Sequence, residues 1–175
     1  NQLLDHLPVG QVLELGQADG SLYWPASRDG VLLLAAGSGI TPVLSIAATV
    51  LEREPLSSFI LFYGNRTAGS TMFLEEVMAL KNRYPARFAV HFLMSREPQE
   101  IELLNGRIDA VRVREFARVF FDVTAIDEFF LCGPGPMNDE VARTLRELGA
   151  TGRLHSECFG VTAPPTAVAA MPEIG

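Results

Sequence analysis

The chain has 175 residues and a formal net charge of −7, with 48% hydrophobic and 20% charged residues. These proportions are typical of one folded globular domain and exclude a disordered or collagen-like chain. The acidic balance leaves no basic stripe to neutralise phosphates, and no apolar run approaches the ~20 residues of a membrane-spanning helix. We therefore expect neither nucleic acid nor a membrane among its partners.

The cysteine content bears on compartment and metal binding. The chain contains two cysteines, Cys132 and Cys158. A disulfide scaffold needs more, and a zinc or iron–sulfur site needs about four thiolate or imidazole ligands. We expect two free thiols in a reducing cytoplasm and no metal site in this chain.

Residues 1–25 carry turn signals and short β-type runs. Turns are predicted at Pro8-Val9-Gly10 and at Asp19-Gly20, with a short strand between them. This is too little sequence to close a sheet of its own. We expect it to pack against sequence upstream, in a longer polypeptide.

The central part of the chain alternates predicted strands with predicted helices. A continuous apolar run over 30–37 ends in glycine and predicts a strand buried on both faces. Thr41 suits the N-cap of the following helix and Pro42 its first position, and Ser70 or Thr71 suits the next N-cap. The alternation predicts a parallel sheet with helices on both faces. Further strands are predicted over 59–64, 88–95, 128–133 and 153–160, and further helices over 70–84, 109–121 and 137–149.

A glycine-containing turn, GSGITP, connects the first buried strand to the first helix at residues 37–42. Glycines there let the chain turn sharply, and the helix N-terminus offers unpaired N–H groups to a pyrophosphate. The turn lacks the Lys-Ser/Thr pair of a phosphate-binding P-loop and the third glycine of GxGxxG. The alternatives are a nucleotide site and an ordinary strand–turn–helix connection.

A second turn, CGPGPM, follows the fourth predicted strand at residues 132–137. Ligands of open α/β sheets bind at the carboxyl ends of the strands, where Cys132 is small and polarizable enough to lie against a flat ring. The alternative is a buried structural cysteine. A nucleophilic thiolate is disfavoured because the sequence places neither His91 nor His155 beside it.

Two arginine-containing turns bear on whether the cofactor is NADP(H) or NAD(H). Asn65-Arg66 follows the second strand and Ser95-Arg96 follows the third, with Arg107 a weaker third candidate. Arginine supplies a planar fork that suits the 2′-phosphate of NADP(H), whereas NAD(H) sites more often use a carboxylate for the ribose. We expect NADP(H), with NAD(H) as the alternative. The alternative to a phosphate-binding role is that Arg66 and Arg96 are solvated loop cations, paired with the neighbouring carboxylates Glu97 or Asp109.

The order of five motifs resembles the nucleotide domain of the ferredoxin–NADP reductase family. From Leu32 to Gly160 the chain reads AAGSGITP, LFYGNRT, FLMSREP, FLCGPGPM and SECFG. The resemblance implies a doubly wound α/β domain over residues 28–160, whose five-stranded parallel sheet has the order 3-2-1-4-5. It also implies that residues 1–27 are a remnant of an antiparallel FAD-binding barrel. Residues 161–175 then form a linker toward a possible [2Fe–2S] domain.

The family also implies roles for individual residues. Its glycine turn binds pyrophosphate with the threonine near nicotinamide and flavin, its cysteine lies beside the nicotinamide C4, and its last strand places an acid and an aromatic near the flavin. Catalytic roles are thereby implied for Thr41, Cys132 and Glu157. Cofactor binding is implied for a larger set: Gly37, Ser38, Gly39, Ile40, Thr41, Pro42, Asn65, Arg66, Ser95, Arg96, Cys132, Gly133, Pro134, Met137 and Phe159.

Within the family, the stretches QEIELLNGRID and LCGPGPMNDEV most resemble oxygenase reductases of the phenylacetyl-CoA epoxidase kind. That resemblance implies an NAD(P)H-dependent flavin oxidoreductase, which passes hydride from NADPH to FAD and electrons onward to an iron–sulfur or oxygenase partner. The barrel's flavin-phosphate motif and four cluster cysteines are absent from this sequence. We therefore expect the chain alone to be inactive and to depend on its own FAD and iron–sulfur domains.

Three other functions remain open from the sequence. The first is a flavin reductase or flavohaemoglobin-like enzyme with a different acceptor. The second is a non-catalytic nucleotide-binding or electron-transfer subunit, which the intact Thr41, Cys132 and Glu157 disfavour. The third is a flavodoxin-like FMN carrier, which would need a hydroxyl-rich phosphate loop after the first strand.

Overall fold

The computed structural model describes residues 30–158, in which five strands alternate with four α-helices. The four strand pairs are all parallel, and the sheet order is 3-2-1-4-5, which confirms the predicted α/β architecture. The strands are β1 (Gly30–Ala36), β2 (Ser58–Asn65), β3 (Phe88–Met94), β4 (Glu128–Gly133) and β5 (Arg153–Cys158). The helices are α1 (Ile40–Arg53), α2 (Leu74–Arg83), α3 (Ala110–Val119) and α4 (Gly135–Glu147). The predicted barrel remnant (1–27), the linker (161–175) and Phe159 lie outside the described residues.

The central strand β1 is covered on both faces. Residues 31–35 are at most 1% exposed, and alternate side chains belong to two separate hydrophobic clusters. Val31, Leu33 and Ala35 share a cluster with apolar side chains of α1 and α2, whereas Leu32 and Leu34 share one with those of α3 and α4. Each fully buried leucine contributes about 1.5–3 kcal/mol, so this strand anchors the sheet whose carboxyl edge carries the site.

The start of α1 differs from the sequence-based prediction. The helix begins at Ile40 with Gly39 at the N-cap position, so Thr41 is not the N-cap and Pro42 is the third helical residue. The Thr41 hydroxyl instead donates to the Ser38 carbonyl over 3.0 Å. The reason is that residues 37–39 form a 3-10 turn that leads directly into the helix and moves its first residue forward.

The start of α2 also differs from the prediction. Neither Ser70 nor Thr71 caps it, because the helix begins later, at Leu74. Residues 68–70 form a separate 3-10 turn, which Thr67 closes through a reciprocal capping box with Ser70. The residue at the N-cap position of α2 is Phe73, whose φ of 54° lies in the left-handed region that few non-glycine residues adopt. The chain therefore turns into α2 through the left-handed backbone of Phe73, and no side chain caps the helix as predicted.

The described part of the chain contains two free thiols, a buried Cys132 and an exposed Cys158, as the sequence predicts. None of the helices within residues 30–158 is long and apolar enough to cross a membrane. Over the same residues, no three His, Cys, Asp or Glu side chains are grouped closely enough to hold a metal ion.

Candidate functional site

A cleft of about 870 Å³ opens at the carboxyl edge of the sheet. Its walls come from the ends of β1 and β2, the segments that follow β3 and β4, and the first turn of α4. Ligands of open α/β sheets bind at this edge, where the strand order reverses on either side of β1. Eight of the residues predicted from the sequence line the cleft: Gly37, Ser38, Asn65, Arg66, Ser95, Arg96, Pro134 and Met137.

The glycine turn after β1 packs directly against β4. A Cβ atom at Gly39 would overlap the carbonyl oxygen of Cys132, so only glycine allows this close approach. Gly37 has a φ of 54°, which again favours glycine. The turn thus brings backbone N–H groups and the N-terminus of α1 to the edge of the cleft, an arrangement that suits an anion.

The turn after β4 contributes a second helix N-terminus. Pro134, Pro136 and Met137 line the cleft at the start of the 13-residue α4. The Met137 side chain folds back against Gly133, where an added Cβ atom would overlap its terminal methyl group. Two helices therefore begin next to the same cleft, and the positive ends of both helix dipoles favour a negatively charged ligand there.

The arginine-containing turns are held side by side by backbone hydrogen bonds. Ser95 N donates to the Asn65 carbonyl over 3.0 Å, and Arg96 N donates to the Arg66 carbonyl over 2.9 Å. These bonds continue the pairing of β2 with β3 past the strand ends. Because the turns advance in register, both arginines are brought to the same side of the cleft that they line.

The expected carboxylate partners of these arginines are engaged elsewhere. Glu97 accepts a hydrogen bond from Ala68 N over 2.8 Å, and Asp109 caps α3 by accepting one from Arg112 N over 2.8 Å. Within residues 30–158 neither Arg66 nor Arg96 forms an ion pair, and both are exposed. Their charge therefore stays available to a ligand.

The segment between β3 and α3 brings further residues to the cleft that the sequence indicated weakly or not at all. Gln99 N donates to the Asn105 side-chain oxygen over 2.8 Å, and the Asn105 amide donates to the Gln99 carbonyl over 3.1 Å. This pair folds the segment back, so that Arg107 and Asp109 face the cleft with Glu140 of α4. The sequence has Asn-Gly, a dipeptide common in turns, at residues 105–106, but nothing in it pointed to Glu140.

Cys132 is fully buried at the end of β4, opposite Glu157 of β5 in the strand register. Burial, and secondarily the nearby Glu157 carboxylate, raises the pKa of the Cys132 thiol to about 12. The thiol is therefore protonated at neutral pH and is a poor nucleophile. Its small sulfur is buried and does not line the cleft.

Seven of the predicted site residues do not line the cleft. Gly39, Cys132 and Glu157 are nonetheless close together, since Gly39 contacts Cys132 and Cys132 pairs with Glu157. Thr41 lies two residues after Gly39, in the first turn of α1. The residues outside the lining are Gly39, Ile40, Thr41, Pro42, Cys132, Gly133 and Glu157.

Comparison with known protein families bears directly on this arrangement. Residues 33–143 match the model of the oxidoreductase NAD-binding domain. The chain belongs to this family. The match spans the glycine turn, both arginine-containing turns and the CGPGPM turn, and it confirms the predicted membership of the ferredoxin reductase type.

Two curated relatives share substantial sequence with this member of the family. A subunit of the 1,2-phenylacetyl-CoA epoxidase from Escherichia coli is 40% identical over 159 residues, covering 89% of this chain and 45% of the relative. The ferredoxin reductase component of 3-ketosteroid-9-alpha-monooxygenase from Rhodococcus rhodochrous is 36% identical over 162 residues, covering 91% and 42%. The chain therefore spans less than half the length of these relatives.

Solved structures confirm the fold. The FAD/NAD-binding domain of nitric oxide dioxygenase from Vibrio cholerae superposes with a TM-score of 0.67 at 23% identity, covering 82% of this chain and 56% of that one. The cytochrome b5 reductase domain of nitrate reductase from Ulva prolifera gives 0.64 at 23% identity, covering 75% and 51%.

Proposed function

We propose that this chain is the NADPH-binding module of a flavoprotein oxidoreductase and delivers hydride from NADPH to FAD. The observation that supports this most is the contact between the glycine turn and Cys132. It joins a phosphate-type turn to the end of β4 that carries the buried Cys132, and Arg66 and Arg96 line the adjacent cleft. A dinucleotide needs such features together: a turn that binds its pyrophosphate, positive side chains for a further phosphate, and a place for its flat nicotinamide ring.

The residues present fit a dinucleotide. The turn over 37–39 leaves no room for a Cβ at Gly39, and two helix N-termini favour a pyrophosphate at the cleft. Arg66 and Arg96 are exposed cations suited to a 2′-phosphate, which supports NADP(H) over NAD(H). The cleft carboxylates of Asp109 and Glu140 are already hydrogen-bonded to backbone N–H groups of α3, so they compete less for a ribose hydroxyl.

The nicotinamide and flavin supply the redox chemistry, and the protein supplies distance and orientation. Cys132 is a neutral thiol buried at the end of β4 beside Gly39, and the nicotinamide would be directed toward this end of the strand. Glu157 is half-buried one strand away, and its proposed role is to hold or relay a proton at its carboxylate. Thr41 is exposed at the first turn of α1, and the family resemblance supports a role for it near the two rings.

The relatives support the choice of partners. One is a subunit of an epoxidase and the other is the ferredoxin reductase component of a monooxygenase. We infer that FAD is held chiefly by a barrel to which residues 1–27 belong. A [2Fe–2S] domain beyond residues 161–175 would then pass electrons to an oxygenase component, in a cytoplasmic system whose free thiols fit a reducing compartment.

The test is calorimetric titration of the chain with NADP⁺ and, separately, NAD⁺ at low and moderate salt. Salt-sensitive binding of NADP⁺ that is at least tenfold tighter, about 1.4 kcal/mol, is expected. The double variant Arg66→Ala/Arg96→Ala should remove this preference. Arg118→Ala, an exposed arginine on α3 that does not line the cleft, is the matched control.

Each contrary outcome has a clear meaning. Tighter binding of NAD⁺ would overturn the choice of NADP(H) but keep the nucleotide module. If neither nucleotide binds to this chain or to the intact protein with its flavin domain, the proposed function is wrong.

A further inference from the structure

A buried tyrosine hydroxyl connects two walls of the cleft. Tyr63, two residues before the end of β2, is fully buried. Its hydroxyl lies 3.1 Å from the Gly37 carbonyl oxygen in the glycine turn and 3.1 Å from the Met72 carbonyl oxygen before α2. These two carbonyls are separated from Tyr63 by 26 and 9 residues, so the contact is a product of the tertiary fold.

The direction of the Gly37 carbonyl matters to an anionic ligand. A carbonyl oxygen carries the negative end of the peptide dipole, and one that faces a pyrophosphate repels it, whereas an N–H group attracts it. The Gly37 carbonyl accepts from Ile40 N inside the turn and also lies within hydrogen-bonding distance of the Tyr63 hydroxyl. Both contacts draw the oxygen into the protein and away from the cleft that Gly37 lines.

The second contact acts on the segment before α2. Met72 immediately precedes Phe73, whose left-handed backbone reverses the chain into α2, and Ser70 of the same segment lines the cleft. The Tyr63 hydroxyl has one proton to share between the two carbonyls. Because both carbonyl oxygens lie 3.1 Å from this one hydroxyl oxygen, the contact keeps the glycine turn and the segment over 68–73 close to each other.

The donor role of Tyr63 persists across the physiological pH range. Burial raises the pKa of the phenol to about 12, so the hydroxyl keeps its proton whenever the protein is folded near neutral pH. The ring is also fixed in place, since it lies in the hydrophobic core of the sheet with Phe92 at 6.0 Å between ring centroids.

We propose that Tyr63 is a positioning residue of the nucleotide site, whose hydroxyl turns the Gly37 carbonyl away from the pyrophosphate and sets the spacing between the glycine turn and residues 68–73. This rests on the proposed function, because it names how the same cleft recognises its dinucleotide. The hydroxyl does not touch the ligand and acts through the backbone of the turn.

The experiment compares the wild-type chain with Tyr63→Phe, which removes one oxygen and keeps the buried ring. NADP⁺ probes the whole site, and adenosine 2′-monophosphate probes only the adenosine and the 2′-phosphate. Binding of NADP⁺ should weaken about five- to tenfold, the effect of one lost hydrogen bond, while binding of adenosine 2′-monophosphate should change less than about twofold. Tyr84→Phe is the control, since Tyr84 follows α2 at the amino edge of the sheet, away from the cleft.

The outcomes separate this inference from the proposed function. If the wild type binds both ligands and Tyr63→Phe binds them equally well, the positioning role is wrong and the proposed function stands. An equal loss of both ligands in Tyr63→Phe would show a general structural role and would also overturn the positioning role. If the wild type and the intact protein bind neither ligand, both proposals fail together.

A second measurement needs no variant and decides the matter even if Tyr63→Phe folds poorly. In NMR spectra of the wild-type chain, the Tyr63 hydroxyl proton should exchange slowly with water, because it is buried and bonded to backbone carbonyls. Addition of NADP⁺ should slow it further as the turn tightens. A hydroxyl proton in fast exchange in both states would refute the bond on which the inference depends.

Discussion

Gly39→Ala is the sharpest test of the geometry of the glycine turn. The added methyl group would overlap the carbonyl oxygen and carbon of Cys132, and it would lie 3.3 Å from the Cys132 Cβ. These atoms belong to the buried strand β4, so they cannot move aside as the tip of a flexible side chain can. Overpacking of this kind costs about 1–3 kcal/mol.

Two other glycines separate the two reasons why alanine can destabilise such a turn, which are steric overlap and a left-handed backbone. At Gly37 a Cβ meets no atom within 4 Å, but the φ of 54° makes alanine unfavourable by about 1 kcal/mol. At Gly69, in the 3-10 turn over 68–70, a Cβ also meets no atom within 4 Å, and its φ is not in the left-handed region. Stability should therefore fall most for Gly39→Ala, less for Gly37→Ala and hardly at all for Gly69→Ala.

The assay is thermal unfolding followed by calorimetric titration with NADP⁺. For a chain of this size, 1 kcal/mol corresponds to about 2–4 °C in Tm, so Gly39→Ala should melt several degrees below the wild type. Its affinity for NADP⁺ should fall at least tenfold, because the turn must move away from β4. A Gly39→Ala protein with wild-type Tm and wild-type affinity would refute the packing of the turn against Cys132.

Three further outcomes are expected. In the intact flavoprotein, Cys132→Ala should slow the reduction of flavin by NADPH more than it weakens NADPH binding, as followed by stopped-flow absorbance; equal loss of both, or no loss, contradicts a role beside the nicotinamide. Burial, aided by Lys81, lowers the pKa of His91 below its usual value near 6.5. The folded state therefore binds fewer protons, and stability should fall as pH drops below about 6.5 in urea titrations, an effect that His91→Phe should abolish. Arg87→Ala should cost about 1–3 kcal/mol by the same method, because its guanidinium donates to three carbonyls at the end of α1 and in the loop to β2; an unchanged urea midpoint would contradict this.

Local sequence predicted the elements of the sheet well. The buried run over 30–37 and the later apolar runs became the five strands in the expected places, because a strand covered on both faces must be continuously apolar. The order 3-2-1-4-5, implied by the family resemblance, is confirmed. The predicted caps were wrong at both Thr41 and Ser70, because cap positions depend on the backbone geometry of the turn before the helix.

The residues of the candidate site also include some that the sequence predicted and some that it did not. The arginines at 66 and 96 were predicted because each directly follows a strand, and parallel strands end at a common edge. Glu140 was not predicted, because it reaches the cleft only through the packing of α4 against the sheet. Arg107 was only a weak candidate, because it reaches the cleft through the fold of the segment held by Gln99 and Asn105. Sequence spacing carries no information about such a segment.

By itself the sequence determined the strands, the helices and the two glycine-containing turns, since these depend on apolar periodicity and on residues with unusual backbone freedom. Only the tertiary structure decided that Gly39 rests on Cys132, that Cys132 lies opposite Glu157 and that Tyr63 reaches the Gly37 carbonyl. The physical reason is that these contacts join residues far apart in the chain. They form when the packing of helices on both faces of the sheet brings the strand ends together.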